Sequence, residues 1–289
     1  MTLPGWLREP AHRFSKLVAA DRVPHALIIH GPKGWGQDVL ASYLALSLLH
    51  DDAESDARLV AHPDLRWFEP ESAVLKVDQV REACLFMSQK ARFGLAKIAV
   101  FNQAECMNLS AGNALLKTLE EPGERSYIFL VTHSPQRLPA TVRSRCQRIQ
   151  SCESDVGSVG TWRESQGYGS DATGQLLAEH GGAPYLTLSA LKREDQPIWT
   201  TLDDVHDEAM SALEVAFKWR NQNLVDLIER WLRYVHIVAR ESSDAGPLLR
   251  FAEMLSEILM ASSKNSGLAR QVQLERLLLE WRSLPISGR

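Results

Sequence analysis

The chain has 289 residues, of which 45% are hydrophobic and 24% are charged. This composition is typical of folded globular proteins, and the length suffices for about two or three domains. The formal net charge of −4 argues against a protein that binds nucleic acid mainly through its overall field, although a local basic surface remains compatible with it. No stretch approaches the roughly 18 apolar residues that span a bilayer, and the N-terminus lacks the layout of a signal peptide. We therefore expect a cytoplasmic protein with no membrane partner.

The first half of the chain alternates short apolar segments with longer helical ones. The segments with strand character are 25–30, 64–70, 97–103 and 127–134, and those with helical character are 38–50, 76–89 and 110–122. Such alternation predicts an α/β fold with a parallel sheet and helices on both faces. Ligands of such sheets bind at the carboxyl ends of the strands.

The composition changes around 151–175, where Ser, Gly and Asp dominate, and this indicates a domain boundary near 150. From about 173 the pattern is helical, with a break at 180–186 and a small apolar unit up to about 200. Long amphipathic helices are predicted over 202–219, 221–241, 246–263 and 267–283. The C-terminal region should therefore be a helical bundle with surface left over for a partner.

The segment GPKGWGQD follows the first predicted strand and has the placement of a phosphate-binding P-loop. A P-loop reads G-x-x-x-x-G-K-[ST], because backbone N–H groups and a helix N-terminus must face the phosphates. The glycines that keep the backbone part of this pattern are Gly31, Gly34 and Gly36. Gln37 replaces the lysine, and Asp38 replaces the hydroxyl that holds Mg²⁺. The loop indicates either a nucleotide site without its nucleotide or a purely structural glycine-rich turn.

The end of the strand over 97–103 also lacks the residues that a nucleotide site needs. The strand over 97–103 should end in an acid that helps to hold Mg²⁺ and a second acid that orients water. Asn102 and Gln103 occupy these places, and both are neutral. Glu105 follows two residues later, where we expect a solvated carboxylate at a helix start rather than a displaced base. Two losses in one chain favour a retained scaffold without its catalysis.

Five segments together resemble the clamp-loader subunits of bacterial DNA polymerase III. They read RVPHALIIHGPKGWGQ, KVDQVRE, AGNALLKTLEEP, LVTHSPQRLPATVRSRC and NSGLARQVQLERLLLEW. The resemblance covers nearly all of the chain and is densest over 22–150. It implies an AAA+ domain with a degenerate P-loop at 1–152, a small helical lid domain at 153–203 and a C-terminal helical collar at 204–289.

The resemblance also implies partners and a role. The expected partners are the ATPase subunits of gamma/tau type and the delta subunit, in a ring of five that opens the sliding clamp and places it on primed DNA. Within the family, the residues at 37, 38, 102 and 103 favour a subunit that does not hydrolyse ATP, within a DNA-directed DNA polymerase holoenzyme. No cofactor is expected.

The family resemblance suggests one metal site that this sequence lacks the ligands for. Many members carry a four-cysteine zinc module before the HPDL strand, but residues 50–64 contain no cysteine. The four cysteines, at 84, 106, 146 and 152, form no C-x-x-C pair, which structural zinc usually needs. We predict no zinc, and we expect all four to be reduced, mostly buried thiols.

The resemblance assigns a chemical role to Arg145 in the motif Ser144-Arg145-Cys146. In clamp loaders this arginine is presented across the subunit interface to the γ-phosphate of a neighbour's ATP. A guanidinium suits the task because it is always charged and binds two oxygens at once. Arg143 and Arg148 would be supporting charges. From the residues alone, the segment could equally be a basic strand edge with ordinary ion pairs.

Three further residues lie near the expected nucleotide position. Thr132 ends the strand where AAA+ modules place a γ-phosphate sensor, and without nucleotide it should cap a turn. His133 should be a surface imidazole. Trp35, inside the loop, is a hypothetical filler of the phosphate space.

Two other classes of function remain open. A competent P-loop ATPase or nucleotide kinase would need Gln37 to replace a lysine and some other carboxylate to hold Mg²⁺. A stand-alone DNA-binding protein is disfavoured by the acidic balance and by the absence of a recognition-helix motif. ATP binding and salt-dependent DNA binding by the isolated chain distinguish these alternatives.

Overall fold

A computed structural model of the chain describes residues 3–50, 56–71, 74–93, 95–151, 156–167, 171–262 and 270–286. The chain divides into two compact units. The first comprises Met1–Tyr168 and Ala183–Leu186, and the second comprises Gly169–Gly182 and Thr187–Arg289. The finer division into three domains, at 152 and 203, stays a prediction.

The first unit is built on a parallel sheet of five strands. The strands are β1 (Ala26–His30), β2 (Leu65–Phe68), β3 (Lys97–Phe101), β4 (Ser126–Thr132) and β5 (Gln147–Gln150). Their order is β2-β3-β4-β1-β5, and every pairing is parallel. The predicted α/β fold with a parallel sheet is therefore confirmed. Strands β1, β3 and β4 are almost wholly buried, which explains their continuous apolar sequences.

Helices cover the sheet and connect its strands. They are α1 (Gly5–Ala19), α2 (Gln37–Leu49), α3 (Val77–Met87), α4 (Leu109–Glu120), α5 (Ala140–Arg143) and α6 (Val156–Ser165). Short 3₁₀ turns lie at Ala104–Cys106 and Pro135–Arg137. Helix α4 begins where the Asn108 side chain accepts a hydrogen bond from the N–H of Ala111, at 2.8 Å, an N-cap that satisfies a helix-start donor.

The second unit is all helical over the residues that the structure describes. Its helices are α7 (Asp171–Glu179), the later part of α8 (Pro184–Lys192), α9 (Ile198–His206), α10 (Ala212–Trp219), α11 (Leu224–Glu241), α12 (Gly246–Ser262) and α13 (Arg270–Arg282). Its core centres on Trp231, Tyr234, Phe251 and Trp281, which contact one another edge-on or tilted. Over the described part of the chain, no helix is both long and apolar enough to cross a membrane.

Two predicted boundaries in the helical half are wrong. The helix predicted over 202–219 is two helices, because the chain turns after α9 and Glu208 has a φ of 58°, a left-handed conformation that a helix cannot continue. The break predicted over 180–186 ends early, since Pro184 begins α8, where its missing N–H costs nothing. Of the predicted helix over 267–283, residues 267–269 lie outside the described residues.

The cysteines and metal ligands can be placed only in part. Cys84, Cys106 and Cys146 are free and half-buried thiols, whereas Cys152 lies outside the described residues. Within the described ranges no group of three or more His, Cys, Asp or Glu could hold a metal ion.

A buried ion pair holds three helices of the second unit together. Arg230 on α11 donates from Nε to Glu179 Oε2 at the end of α7, at 3.1 Å, and Glu179 is fully buried. The other carboxylate oxygen accepts from the N–H of Trp199 at the start of α9, at 2.9 Å. A buried carboxylate with this many donors fixes the position of every element that supplies one.

A second buried pair secures the edge of the sheet in the first unit. Lys97 Nζ at the start of β3 lies 3.3 Å from Asp64 Oδ1, and both side chains are 2% exposed or less. The N–H groups of Arg92 and Phe93 also donate to Asp64, at 2.8 and 3.1 Å. Burial alone would raise the pKa of Asp64, but these N–H groups and Lys97 together outweigh it and lower the pKa.

Replacing Asp64 tests the contribution of this pair to stability. Asp64→Asn leaves the Lys97 ammonium buried without its counter-ion, so we expect the free energy of unfolding to fall by about 3–5 kcal/mol near pH 7. Because the folded pKa of Asp64 is lowered, its stabilisation is complete above the unfolded value of about 3.9 and is lost as the pH falls through the folded pKa. The difference between the proteins should therefore shrink in acid.

Guanidinium denaturation of the wild type and of Asp64→Asn between pH 3 and 7 measures the difference in their free energy of unfolding. Glu71→Gln is the control, because it removes the pair of Glu71 with Lys76, in which both side chains are 58% exposed. It should lower the free energy of unfolding by about 1 kcal/mol at most. An equal loss at every pH would contradict the assignment to Asp64 ionisation.

Candidate functional site

The glycine-rich loop joins the carboxyl end of β1 to α2. Gly34 and Gly36 have φ angles of 78° and 87°, which side chains other than glycine rarely adopt. A Cβ on Gly36 would lie 2.6 Å from the ring of Tyr185, and one on Gly34 would lie 2.4 Å from Leu186. The glycines therefore serve both the backbone turn and close packing within the first unit.

Gln37 closes the loop from inside. Its amide Nε2 donates to the carbonyls of Gly31 and Pro32, at 2.6 and 2.7 Å, and the residue is only 6% exposed. An amide can satisfy these carbonyls as a lysine would, but it brings no positive charge. The loop thus keeps its shape with a neutral amide at the position of the P-loop lysine.

Asp38, at the position of the Mg²⁺-binding hydroxyl, is paired with a cation of the chain itself. Arg58 Nη1 lies 3.0 Å from Asp38 Oδ2, and Arg58 Nη2 lies 2.7 Å from Asp56 Oδ2. The hydrogen bond to Asp56 and the charges of both carboxylates raise the pKa of Arg58, although burial opposes this. Sequence reasoning missed Arg58, which is 20 residues from Asp38 and has no local signal.

An aromatic cluster packs beside the loop. Trp6 Nε1 donates to the carbonyl of Trp35 at 3.0 Å, and the two rings meet edge-on with centroids 6.1 Å apart. Trp162 and Tyr185 complete the cluster against Trp6, and the N–H of Tyr185 donates to the carbonyl of Gly34 at 3.0 Å. Trp35 is buried in this cluster; that its ring fills phosphate space stays a prediction.

Asn102 and Gln103 follow β3 at the same edge of the sheet. Asn102 donates from Nδ2 to Glu69 Oε1 at 3.3 Å and accepts from the N–H of Gln103 at 3.0 Å. Glu69 is an exposed carboxylate just after β2, and the sequence interpretation did not include it. Its position at a strand's carboxyl end was the available signal.

Glu105 is not the solvated carboxylate that the sequence suggested. Its side chain is 2% exposed, and His133 Nδ1 lies 2.5 Å from its Oε1. Burial opposes ionisation, but hydrogen bonds from His133 and Thr132 outweigh it, so the pKa of Glu105 is lowered. The prediction failed because the 3₁₀ turn over 104–106 directs this residue inward, beneath β4. Glu105 therefore has a structural partner in the imidazole.

Thr132 has its hydroxyl engaged by the protein. Its Oγ1 accepts a hydrogen bond from the N–H of Ser134 at 3.0 Å, which is a turn-capping contact. The side chain is buried. A hydroxyl held in this way differs from one directed at a bound phosphate.

Arg145 lies at the opposite edge of the sheet from the loop. It precedes β5, whose first residue, Gln147, pairs with Leu27, whereas the loop begins four residues further along the chain at Gly31. At about 3.3 Å per residue, Gly31 lies on the order of 13 Å along the strand direction from Leu27, which is level with the start of β5. Arg145 therefore does not belong to the loop of its own chain.

The basic residues around Arg145 have separate surroundings. Arg143 donates from Nη1 to the carbonyl of Gln136 at 3.3 Å. Arg148 is exposed on β5, and its charge, after burial, contributes to a lowered pKa of His30 on β1. Cys146 is half-buried, and burial raises its thiol pKa to about 12, so it is no nucleophile.

The sheet order, the glycine loop after β1 and the strand-end residues together define a P-loop-type α/β module. Gly31, Gln37, Asn102 and Thr132 meet at one edge, with neutral or internally paired groups where an active site needs charges. Arg145 stands apart from them. The fold and the site therefore establish the class of protein, which is a P-loop-type α/β module.

Comparison with known proteins places the chain in a family. A family model described as DNA polymerase III, delta subunit, matches residues 7–153. The chain is 30% identical to DNA polymerase III subunit delta′ of Pseudomonas aeruginosa over 95% of this chain and 97% of that protein. A shorter match, 39% identical, relates 49% of this chain to 46% of subunit delta′ of Escherichia coli. The chain belongs to this DNA polymerase III subunit family, which confirms the resemblance.

A solved structure agrees in fold. The crystal structure of a DNA polymerase III gamma subunit-related protein from Thermotoga maritima covers 93% of this chain and 98% of its own, with a TM-score of 0.60 and 18% identity. At this identity the likeness concerns the fold alone. It extends over the sheet and the helical half, so the complete fold class predicted from the sequence is confirmed.

The role of Gln37 in the loop can be tested by stability. Gln37→Leu removes the donor shared by two loop carbonyls, and we expect the free energy of unfolding to fall by about 1–3 kcal/mol. Gln89→Leu, at an exposed position, is the control and should change stability by about 0.5 kcal/mol or less. Chemical denaturation measures both, and equal effects would show that the amide contacts do not support the loop.

Proposed function

We propose that this chain is a delta′-type subunit of the DNA polymerase III clamp loader that does not hydrolyse ATP and donates Arg145 to a neighbouring subunit. Its family membership supports a place in the polymerase assembly. The expected partners are gamma/tau-type ATPase subunits and a delta subunit in a ring of five. Through them the chain would help to load the sliding clamp on primed DNA.

The observation that carries the proposal is a contrast between positions 37 and 145. The first lacks the cation of a P-loop, and the second has the cation of the clamp-loader motif. At the loop, Gln37 stands where a P-loop has its lysine, and Arg58 is paired with Asp38 and Asp56. At the other edge, Arg145 keeps the arginine of the clamp-loader motif; its side chain is 36% exposed and its partner, Glu120, is 51% exposed. A neutral residue at the P-loop lysine position, together with an arginine retained at the clamp-loader motif, supports a chain that acts on a neighbour's phosphate.

The chemistry requires little beyond placement of charge. Negative charge develops on the phosphoryl group during transfer, and a guanidinium beside it stabilises the transition state. An arginine supplied from a second subunit can contribute on the order of 10³ to 10⁵ in rate. Arg143 and Arg148 would add positive potential nearby.

The second unit offers surface for assembly. Four large apolar side chains on α10 and α13 are exposed, namely Leu213 at 56%, Phe217 at 55%, Val272 at 61% and Leu279 at 43%. Leu213 and Phe217 are four residues apart and so lie on one face of α10. Exposed apolar surface of this kind often marks a contact with another protein, which supports the proposed role of the C-terminal helices as a collar.

The isolated chain should bind little ATP and turn none over. The reason is the joint replacement of the lysine, the Mg²⁺ ligands and the water-orienting acid at 37, 38, 102 and 103. Isothermal titration with Mg·ATP, together with a phosphate-release assay, checks both statements. Stoichiometric binding would instead favour the alternative of a competent ATPase with an unusual loop.

Replacing Arg145 tests the arginine finger in the reconstituted complex. Arg145→Ala should fold and assemble, but clamp- and DNA-stimulated hydrolysis at the site it faces should fall by about 10³, and clamp loading with it. Arg145→Lys should restore only part of the rate, because an ammonium lacks the bidentate fork.

The matched control is Arg193→Ala, which removes another exposed guanidinium, one paired with Asp195 in the second unit. It should leave hydrolysis unchanged. An assembled Arg145→Ala complex with wild-type hydrolysis and loading would refute the finger, and a loss of thermal stability or of assembly would indicate a structural arginine.

A further inference from the structure

The guanidinium of Arg145 is held from two sides. On one side, Nη1 donates to the carbonyl of Thr141 at 2.9 Å and to Ser144 Oγ at 3.3 Å. On the other side, Nε and Nη2 both reach Glu120 Oε1, at 2.8 and 2.5 Å. The first set of contacts is local, because Thr141 and Ser144 lie within four residues of Arg145, and the second comes from the end of α4.

The contact with Glu120 takes up the edge of Arg145 that binds anions. Nε–H and one N–H of Nη2 point in parallel and form the fork that matches two oxygens of a carboxylate or a phosphate. Nη1 is already used by Thr141 and Ser144. A phosphate that approaches this fork must therefore take the place of Glu120.

The packing of α4 against the start of α5 brings Glu120 within reach of Arg145. Gly112 on α4 lies so close to the residue before α5 that a Cβ there would be 2.7 Å from Pro139 Cγ. Val142 on α5 is fully buried in the same core. With the two helices fixed against each other, the last residue of α4 comes within reach of Arg145.

We propose that Glu120 is a positioning residue for Arg145: its carboxylate occupies the phosphate-binding edge of the guanidinium in the free subunit and is displaced by the phosphate of a neighbour's nucleotide. This inference rests on the proposed function, since it needs Arg145 to act on that phosphate. Both side chains are open to water, 36% exposed for Arg145 and 51% for Glu120, so the exchange involves no burial of an unpaired charge.

Two properties of the Glu120 side chain contribute separately. Its oxygen accepts the hydrogen bonds that orient the guanidinium, and its negative charge competes with the incoming phosphate. Glu120→Gln keeps an oxygen acceptor and removes the charge. Glu121→Gln is the matched control, because Glu121 is the next residue, is exposed and makes no ion pair with Arg145 among the contacts of the described residues.

The first measurement uses the full chain alone. Phenylglyoxal modifies accessible guanidinium groups, and mass spectrometry follows the rate at Arg145. Without the Glu120 charge, modification should be several-fold faster in Glu120→Gln and unchanged in Glu121→Gln. Wild-type reactivity in Glu120→Gln would overturn the proposal, because the carboxylate would then not occupy this edge in solution.

The second measurement uses the reconstituted complex with clamp and primed DNA. Glu120→Gln should lower the ATP concentration for half-maximal hydrolysis several-fold, with kcat at least equal to that of the wild type. Glu120→Ala, which removes the competing carboxylate altogether, should lower this concentration at least as far. A purely structural surface pair would move neither parameter.

The outcomes separate this inference from the function on which it rests. If Arg145→Ala impairs hydrolysis while Glu120→Gln and Glu120→Ala behave as wild type, the finger stands and the positioning role is overturned. If Arg145→Ala has wild-type hydrolysis, the proposed function fails and the inference fails with it. The proposal is supported if Arg145 is modified faster and less ATP is required in Glu120→Gln, and neither change occurs in Glu121→Gln.

Discussion

The parallel pairing of β1 with a strand on each side is the constraint on which the rest of the first unit depends. Because β4 and β5 run in the same direction as β1, whatever follows β1 and β4 lies at one edge of the sheet. Whatever precedes β4 and β5 lies at the other edge. The glycine loop and Thr132 are thereby gathered at the first edge, and Glu120 and Arg145 at the second. The separation of the two groups follows from strand direction alone.

At the first edge, groups of the protein itself donate hydrogen bonds to the backbone carbonyls of the glycine loop. The backbone carbonyls of a loop that packs against the protein need hydrogen-bond donors, whether or not an anion is bound. Gln37 supplies donors to Gly31 and Pro32, and the N–H of Tyr185 supplies one to Gly34. Gln37, at the position of the P-loop lysine, therefore stabilises the loop through its side-chain amide.

The sequence predicted elements that have a strong apolar pattern and missed those that do not. Strand β5 was missed because its residues, QRIQ, are mostly exposed and show no buried run. Helix α1 was missed because it contains Pro10, which ordinarily ends a helix. The loop positions followed from spacing, but the partners of those positions did not. Arg58, Glu69 and Glu120 reach their partners across distances in sequence that no local pattern reports.

Exposure separates the ion pairs of this protein into fixed and exchangeable ones. Asp64 with Lys97 and Glu179 with Arg230 are almost fully buried, and breaking such a pair leaves a charge stranded away from water. Those pairs hold helices and strands in place. Arg145 with Glu120 is open to water, so either partner can be replaced by another ion of like charge at little cost. Under the proposed function, the free chain needs a counter-ion for the guanidinium that Arg145 presents to another subunit. An exposed carboxylate on a rigid helix end does this without making the guanidinium permanently unavailable.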